Sequence, residues 1–173
     1  MGAQLRVYRG RIKSVKATKK ITKAMELIAS SRIVKAQQRL DASLPYLEQL
    51  YSAINAAATG AADVRKHPLM ANADNRSKAA VLVITADRGL AGAYSSNAIK
   101  EAEGLIANLR DKGITSTPYV VGRKGVSYYR FRDREIAGSW TGFTDQPTYE
   151  DARAIADALL EAFLKPVEEG GVD

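Results

Sequence analysis

Between Gln4 and Ala58 the chain holds one glycine, Gly10, and one proline, Pro45, a stretch long enough to dictate much of what the rest can be. Apolar residues recur along it in alternating steps of three and four. The seam begins Leu5, Tyr8, Ile12, Val15, resumes at Ala29, Ile33, Ala36 and Leu40, and continues through Leu47, Leu50, Ile54 and Ala57. Twelve of the sixteen seam positions are apolar, the repeat of a coiled coil rather than of a short surface helix. Lys19, Thr22 and Glu26 interrupt it, and Ile21, Met25 and Ile28 supply a neighbouring apolar strip there. The helix is therefore expected to change partner, or to turn a different face inward, over residues 19–28. Pro45 cannot donate to the helical ladder and predicts a kink or a new segment. At ~1.5 Å per residue the element would be roughly 80 Å long. Isolated helices draw most of their stability from packing, so the seam needs a second long helix. Residues 59–173 contain no such pattern, and the partner is expected from another chain or from sequence beyond Asp173.

Charge is concentrated on the same element. Residues 1–40 carry eleven Lys and Arg against one acid, Glu26, a balance of +10. The whole chain is +7, which leaves −3 for the other 133 residues. The basic helix thus calls for an anionic partner: nucleic acid, an acidic membrane surface or an acidic protein. No run of apolar residues reaches the length of a membrane span, and MGAQLRVYRGR lacks the apolar core of a signal peptide. With no cysteine and one histidine, His67, neither a thiolate metal site, nor a histidine metal site, nor a Ser-His triad is expected.

Beyond a loop over 59–78, punctuated by Gly60 and Pro68, the pattern changes. AAVLVIT (79–85) is a continuous apolar run that reads as a buried strand. A helix follows over SSNAIKEAEGLIANLRDKG, then a strand at 117–122, a short helix in GVSYYRFR and a third strand at 135–140. TYEDARAIADALLEAFLK (148–165) reads as a helix, with Thr148 and Asp151 spaced as a capping box. Strands alternating with helices predict right-handed crossovers and a mainly parallel sheet covered on both faces. The fold class is α/β: a long coiled-coil helix over 1–58, a linker over 59–78, a Rossmann-like domain over 79–165 and a flexible tail over 166–173.

The turn TADRGLAGAYSSN joins a strand to a helix N-terminus, a setting that can hold phosphate. Its glycines, Gly89 and Gly92, match neither dinucleotide nor Walker spacing. Gly89 is expected to serve a positive φ and Gly92 a close helix approach. Asp87 and Arg88 are expected to form a local ion pair or a contact to another subunit. Carboxylates are scattered and no hydroxyl has a base near it in sequence, so no catalytic residue, metal ligand or cofactor is expected.

Three motifs carry a resemblance: RIKSVKATKKITKAME (11–26), TADRGLAGAYSSN (85–97) and VGRKGVSYY (121–129). In this order and separation they closely resemble the gamma subunit of F-type ATP synthases, over essentially all of residues 1–165. The family more often has cysteine and glycine where this chain has Ala91 and Ala93. Family members run past this length and end in a second long helix that pairs with the first, so the chain is expected to be a fragment and its seam to await that helix. The resemblance implies a non-catalytic central-stalk rotor subunit, coupling proton flow at the membrane rotor ring (c subunits) to ATP synthesis in the beta subunits. It implies alpha, beta and epsilon subunits as further partners, no nucleic acid, and a peripheral place on the cytoplasmic face of the bacterial cell membrane. Lys19, Lys20, Lys23, Met25 and Arg32 would face the acidic lever loop of beta. Ile12, Val15, Ala29, Ile33, Leu40, Leu47, Leu50 and Ile54 would form the coiled-coil seam.

The alternative from another class is a nucleic-acid-binding protein with a basic helical arm, since phosphate neutralisation needs only Lys and Arg. Against it, the basic helix has no array of aromatic or amide side chains for reading bases, and a duplex has no use for a sustained heptad seam.

Overall fold

The computed structural model describes residues 2–60, 67–70 and 76–173. Much of the expected 59–78 linker lies outside the described residues; within it, Pro68–Met70 form a 3-10 turn. The chain divides into two units, Met1–His67 and Pro68–Asp173.

The first unit is one α-helix, α1 (Gly2–Gly60), which runs through Pro45 without beginning the new segment that proline could have started there. Proline removes one donor and one ladder bond, and the helix proceeds on either side of that gap. The expected end near Ala58 falls two residues short of the observed one.

The second unit is β1 (Lys78–Ile84), α2 (Tyr94–Asp111), β2 (Thr115–Val121), α3 (Arg123–Phe131), β3 (Gly138–Trp140) and α4 (Tyr149–Leu164). The sheet is parallel throughout, in the order β1-β2-β3. Its register pairs Val83 with Val120 and Ile84 with Val121, and paired residues of parallel strands turn their side chains to the same face. On one face Val81 and Val83 pack with Ala102, Ile106 and Leu109 of α2, while Val120 packs with Val126 and Tyr129 of α3. On the other, Tyr119 stacks on Trp140 with ring centroids 6.3 Å apart. That face is only partly covered: Leu82 and Ile84 are exposed, and α4 has no fully buried residue. The expectation of a sheet covered on both faces therefore holds fully on the α2–α3 side and only in part on the other, where Tyr119 and Val121 are buried. The third strand is three residues long rather than the expected six, Glu135–Ala137 remaining outside it.

α4 begins with the capping box read from sequence. The Thr148 hydroxyl accepts from Asp151 N–H at 3.3 Å, and the Asp151 carboxylate accepts from Thr148 N–H at 2.9 Å. Thr148→Ala removes half of this exchange and should cost about 1 kcal/mol. A thermal melt followed at Trp140, the chain's one tryptophan, should shift down by about 5 °C.

The tail departs from expectation. Residues 167–169 form a 3-10 turn and Val172 is buried. Gly171 is required there, since a Cβ would overlap the backbone of Lys165. Asp173 then clamps the start of β1. Its carboxylate accepts from Ser77 N–H at 2.8 Å, the Ser77 hydroxyl at 3.1 Å and Lys78 N–H at 2.9 Å, and its own N–H donates to Lys78 O at 2.8 Å. The Gly-Gly pair that reads as flexible in sequence instead provides a close turn.

Candidate functional site

Two surfaces hold the residues singled out by sequence, one on each unit. On α1 the seam side chains Ile12, Val15, Ile33, Leu40, Leu47, Leu50 and Ile54 are 40–67% exposed, and Ala29 is exposed too. Burying an aliphatic side chain of this kind is worth about 1.5–3 kcal/mol, so the stripe is a large unsatisfied drive toward a partner. A contiguous apolar surface of this extent marks an interface.

Lys19, Lys20, Lys23 and Arg32 lie exposed on the same helix, with Met25 47% exposed among them. The polar interval of the seam is satisfied locally. The Thr22 hydroxyl donates to Thr18 O and Lys19 O at 3.1 and 3.0 Å, Thr18 donates to Ser14 O, and Ser30 to Glu26 O. Lys23 Nζ meets Glu26 Oε2 at 3.0 Å, both side chains 63% exposed. Such a surface pair contributes ~0–1 kcal/mol. Among the described residues it is the only ion pair on α1, so most of the helix's cations have no acid of their own helix to satisfy them.

The second surface is the turn after β1. Thr85 is buried, donating its hydroxyl to Val121 O at 2.8 Å and accepting from Gly125 N–H at 2.9 Å. Asp87 follows with a side chain only 6% exposed. Its carboxylate accepts from Arg123 N–H at 3.0 Å, Gly142 N–H at 2.7 Å, Thr144 N–H at 3.0 Å and the Thr144 hydroxyl at 2.9 Å. It joins three loops at the carboxyl edge of the sheet. Burial pushes its carboxyl up, but the hydrogen bonds from Thr144, Arg123 and Gly142 reverse this and hold it below the ordinary value.

Asp87 and Arg88 do not form the local pair that sequence allowed. Asp87 lies 3.8 Å from Arg123 Nε, while Arg88 Nε pairs with Asp145 at 2.7 Å. Nor is the Asp87 carboxylate free for another subunit, because its acceptor positions are filled from within. Arg88, 78% exposed, and Leu90, 93% exposed with φ +63°, are what the turn presents outward. Gly92 has the positive φ assigned to Gly89, and a Cβ on it would meet nothing within 4 Å. The close-approach glycines are instead Gly122 and Gly125, both against Thr85. Sequence reasoning passed over Thr144 and Arg123, since nothing local marks a residue whose task is to fill the acceptors of an aspartate far away in sequence.

An ionised Asp87 at this edge repels phosphate. A cavity of about 350 Å³ lies beside it, lined mainly by apolar groups of Ile84, Tyr94, Val121, Phe143 and Ile155. Its polar groups are already engaged, with the Tyr94 hydroxyl donating to Ile84 O at 3.0 Å. No group of three or more His, Asp or Glu side chains able to hold a metal occurs among the described residues. No helix among them is long and apolar enough to cross a membrane.

Residues 4–173 match the family described as ATP synthase. The ATP synthase gamma chain of Acidothermus cellulolyticus is 55% identical over 173 residues, all of this chain and 57% of that protein. The gamma chain of Streptomyces griseus is 58% identical and that of Thermobifida fusca 54%, each over the whole chain and 56% of the relative. The chain thus spans a little over half the length of the curated relatives it matches. On this match, and on motifs whose residues build both surfaces just described, the chain belongs to the ATP synthase gamma family.

Proposed function

We propose that the protein is part of the central rotor shaft of a proton-translocating F-type ATP synthase, carrying torque between a membrane ring and the catalytic beta subunits. The observation that carries the reading is the exposed seam of α1, a helix of 59 residues whose apolar stripe has no partner helix among the described residues. A second long helix of the full-length chain would cover it, in the manner of an antiparallel coiled coil. The relatives' names support the place in the complex; the seam explains why such a helix is needed.

Lys19, Lys20, Lys23, Met25 and Arg32 would then face an acidic lever loop of beta. Exposed charge contacts are individually weak and screened, so they can break and re-form as a shaft turns, where deep bonded pockets would hold it still. Alpha and epsilon subunits and the c-subunit ring complete the partners. The subunit itself would be non-catalytic and peripheral, on the cytoplasmic face of a bacterial membrane. No feature of the described residues favours a nucleic-acid partner for the helix.

The test is the native mass of the complex recovered from membranes with a tagged full-length protein. The expected result is a particle with three alpha-type and three beta-type chains per tagged chain. Recovery as a bare homodimer, or bound to nucleic acid, would overturn the reading.

A further inference from the structure

The end of α3 remote from Asp87 carries a feature that neither the seam nor the Asp87 turn explains. The helix starts where Arg123 N–H meets Asp87 and ends at Phe131, about 12 Å further on by helical rise. Phe131 is 86% exposed. Arg130 and Arg132 flank it, both exposed. The guanidinium carbon of Arg132 lies 3.9 Å from the centroid of the Tyr128 ring. Tyr128 in turn meets Tyr129 edge-on at 5.3 Å, and Tyr129 is fully buried in the core. Arg132 is thus held in place by a column of rings rooted in the core.

The charges here are unequal in how they are used. Arg123 is turned to Asp87, and Arg134 pairs with Glu103 at 2.7 Å. Arg130 and Arg132 have no ion pair among the described residues, and the nearby acids in sequence, Asp133 and Glu135, are exposed. Cations in the last turn of a helix gain from its dipole, which accounts for an arginine but gives no reason for a phenylalanine in water. Arginine beside tyrosine and phenylalanine is the composition enriched at the energetic centres of protein interfaces. Stacking also lowers the ordering cost an arginine would meet on binding.

We propose that Tyr128, Arg130, Phe131 and Arg132 form a docking surface of the α/β unit, at the end of α3 remote from Asp87, for an acidic segment of another subunit. Carboxylates of that segment would pair with the two arginines, and an apolar residue would close over Phe131. The proposal rests on the reading of the chain as a subunit of a larger complex.

The test uses the full-length protein in the complex purified from membranes. Hydroxyl-radical oxidation of Phe131 is measured in the free subunit and in the complex, and is expected to slow several-fold on assembly. A photo-crosslinker placed at position 131 is expected to capture a protein segment rich in Asp and Glu. The double variant R130E/R132E, exposed and therefore foldable, should keep its Trp140 fluorescence and lose about tenfold in affinity for that segment, with strong salt dependence in the parent. Oxidation of Phe131 at the same rate in both states would overturn the proposal, as would a crosslink to lipid or to a segment without acids. If no multi-subunit complex is recovered at all, it is the wider reading that has failed.

Discussion

Gly122→Ala is expected to strip the α/β unit of most of its stability at ambient temperature. Gly122 has φ +91° and ψ 139°, a region that side chains rarely occupy and that costs of order 1–3 kcal/mol for any other residue. The added methyl would also overlap the Thr85 carbonyl and lie 2.7 Å from Thr85 Oγ1. Thr85 cannot yield, because its N–H and hydroxyl both donate to Val121 O at 2.8 Å. Strain and overlap together should cost about 4 kcal/mol or more, a large part of the stability of a domain this size. Urea unfolding followed at Trp140 would measure it. Gly104→Ala is the control: it lies within α2, a Cβ there meets nothing within 4 Å, and the change should be neutral or stabilise by up to about 1 kcal/mol. Equal damage from both would remove the close-approach explanation.

The second large effect concerns Asp87. Asp87→Ala would leave the N–H groups of Arg123, Gly142 and Thr144 without their acceptor, at an expected cost of about 3 kcal/mol. Asp87→Asn keeps one acceptor oxygen but turns an NH₂ toward donors, and should fall between the two. The carboxylate also sets an acid limit. Burial raises its pKa and the hydrogen bonds from Thr144, Arg123 and Gly142 bring it below the ordinary value. A group shifted this way stabilises the fold above its unfolded pKa of about 3.9, and that contribution is lost as pH falls through the lower folded value. Asp173 is shifted in the same direction, chiefly by backbone hydrogen bonds from Lys78 and Ser77. The parent should therefore lose stability as pH falls below about 4, with a shallower slope in Asp87→Asn and the remainder traceable to Asp173. An unchanged slope in Asp87→Asn would mean that other carboxylates set the acid limit.

These two residues also show where the sequence was legible and where it was not. Periodicity found α1, the alternation of strand and helix found the sheet, and the Thr148–Asp151 spacing found a cap that the structure contains, because each signal is local and repeats or pairs within a turn or two. The glycine roles were misassigned within TADRGLAG, since a glycine's reason depends on which backbone comes near it. For Gly122 that backbone is Thr85, 37 residues earlier. The tail was misread for the same cause: Asp173 finds Ser77 across 96 residues, a meeting no spacing announces. Asp87 was read as a local ion pair with Arg88 or a contact to another subunit, whereas its carboxylate fastens three loops through donors far away in sequence.

β1 lies at the edge of the sheet, and its peptide groups alternate in direction. Ser77 O and Thr85 N–H turn toward β2, while Lys78 turns away and meets Asp173. Ala80 and Leu82, in step with Lys78, turn their N–H and C=O groups the same way, and among the described residues no strand covers them. Such an edge is a template for another strand, and Leu82 and Ile84 add an apolar surface beside it. The isolated chain should therefore self-associate as concentration rises through edge-to-edge β pairing as well as through the seam of α1. Of these two adhesive surfaces the open strand is the one that a single change can blunt, a lysine at position 82 setting a charge on its exposed face.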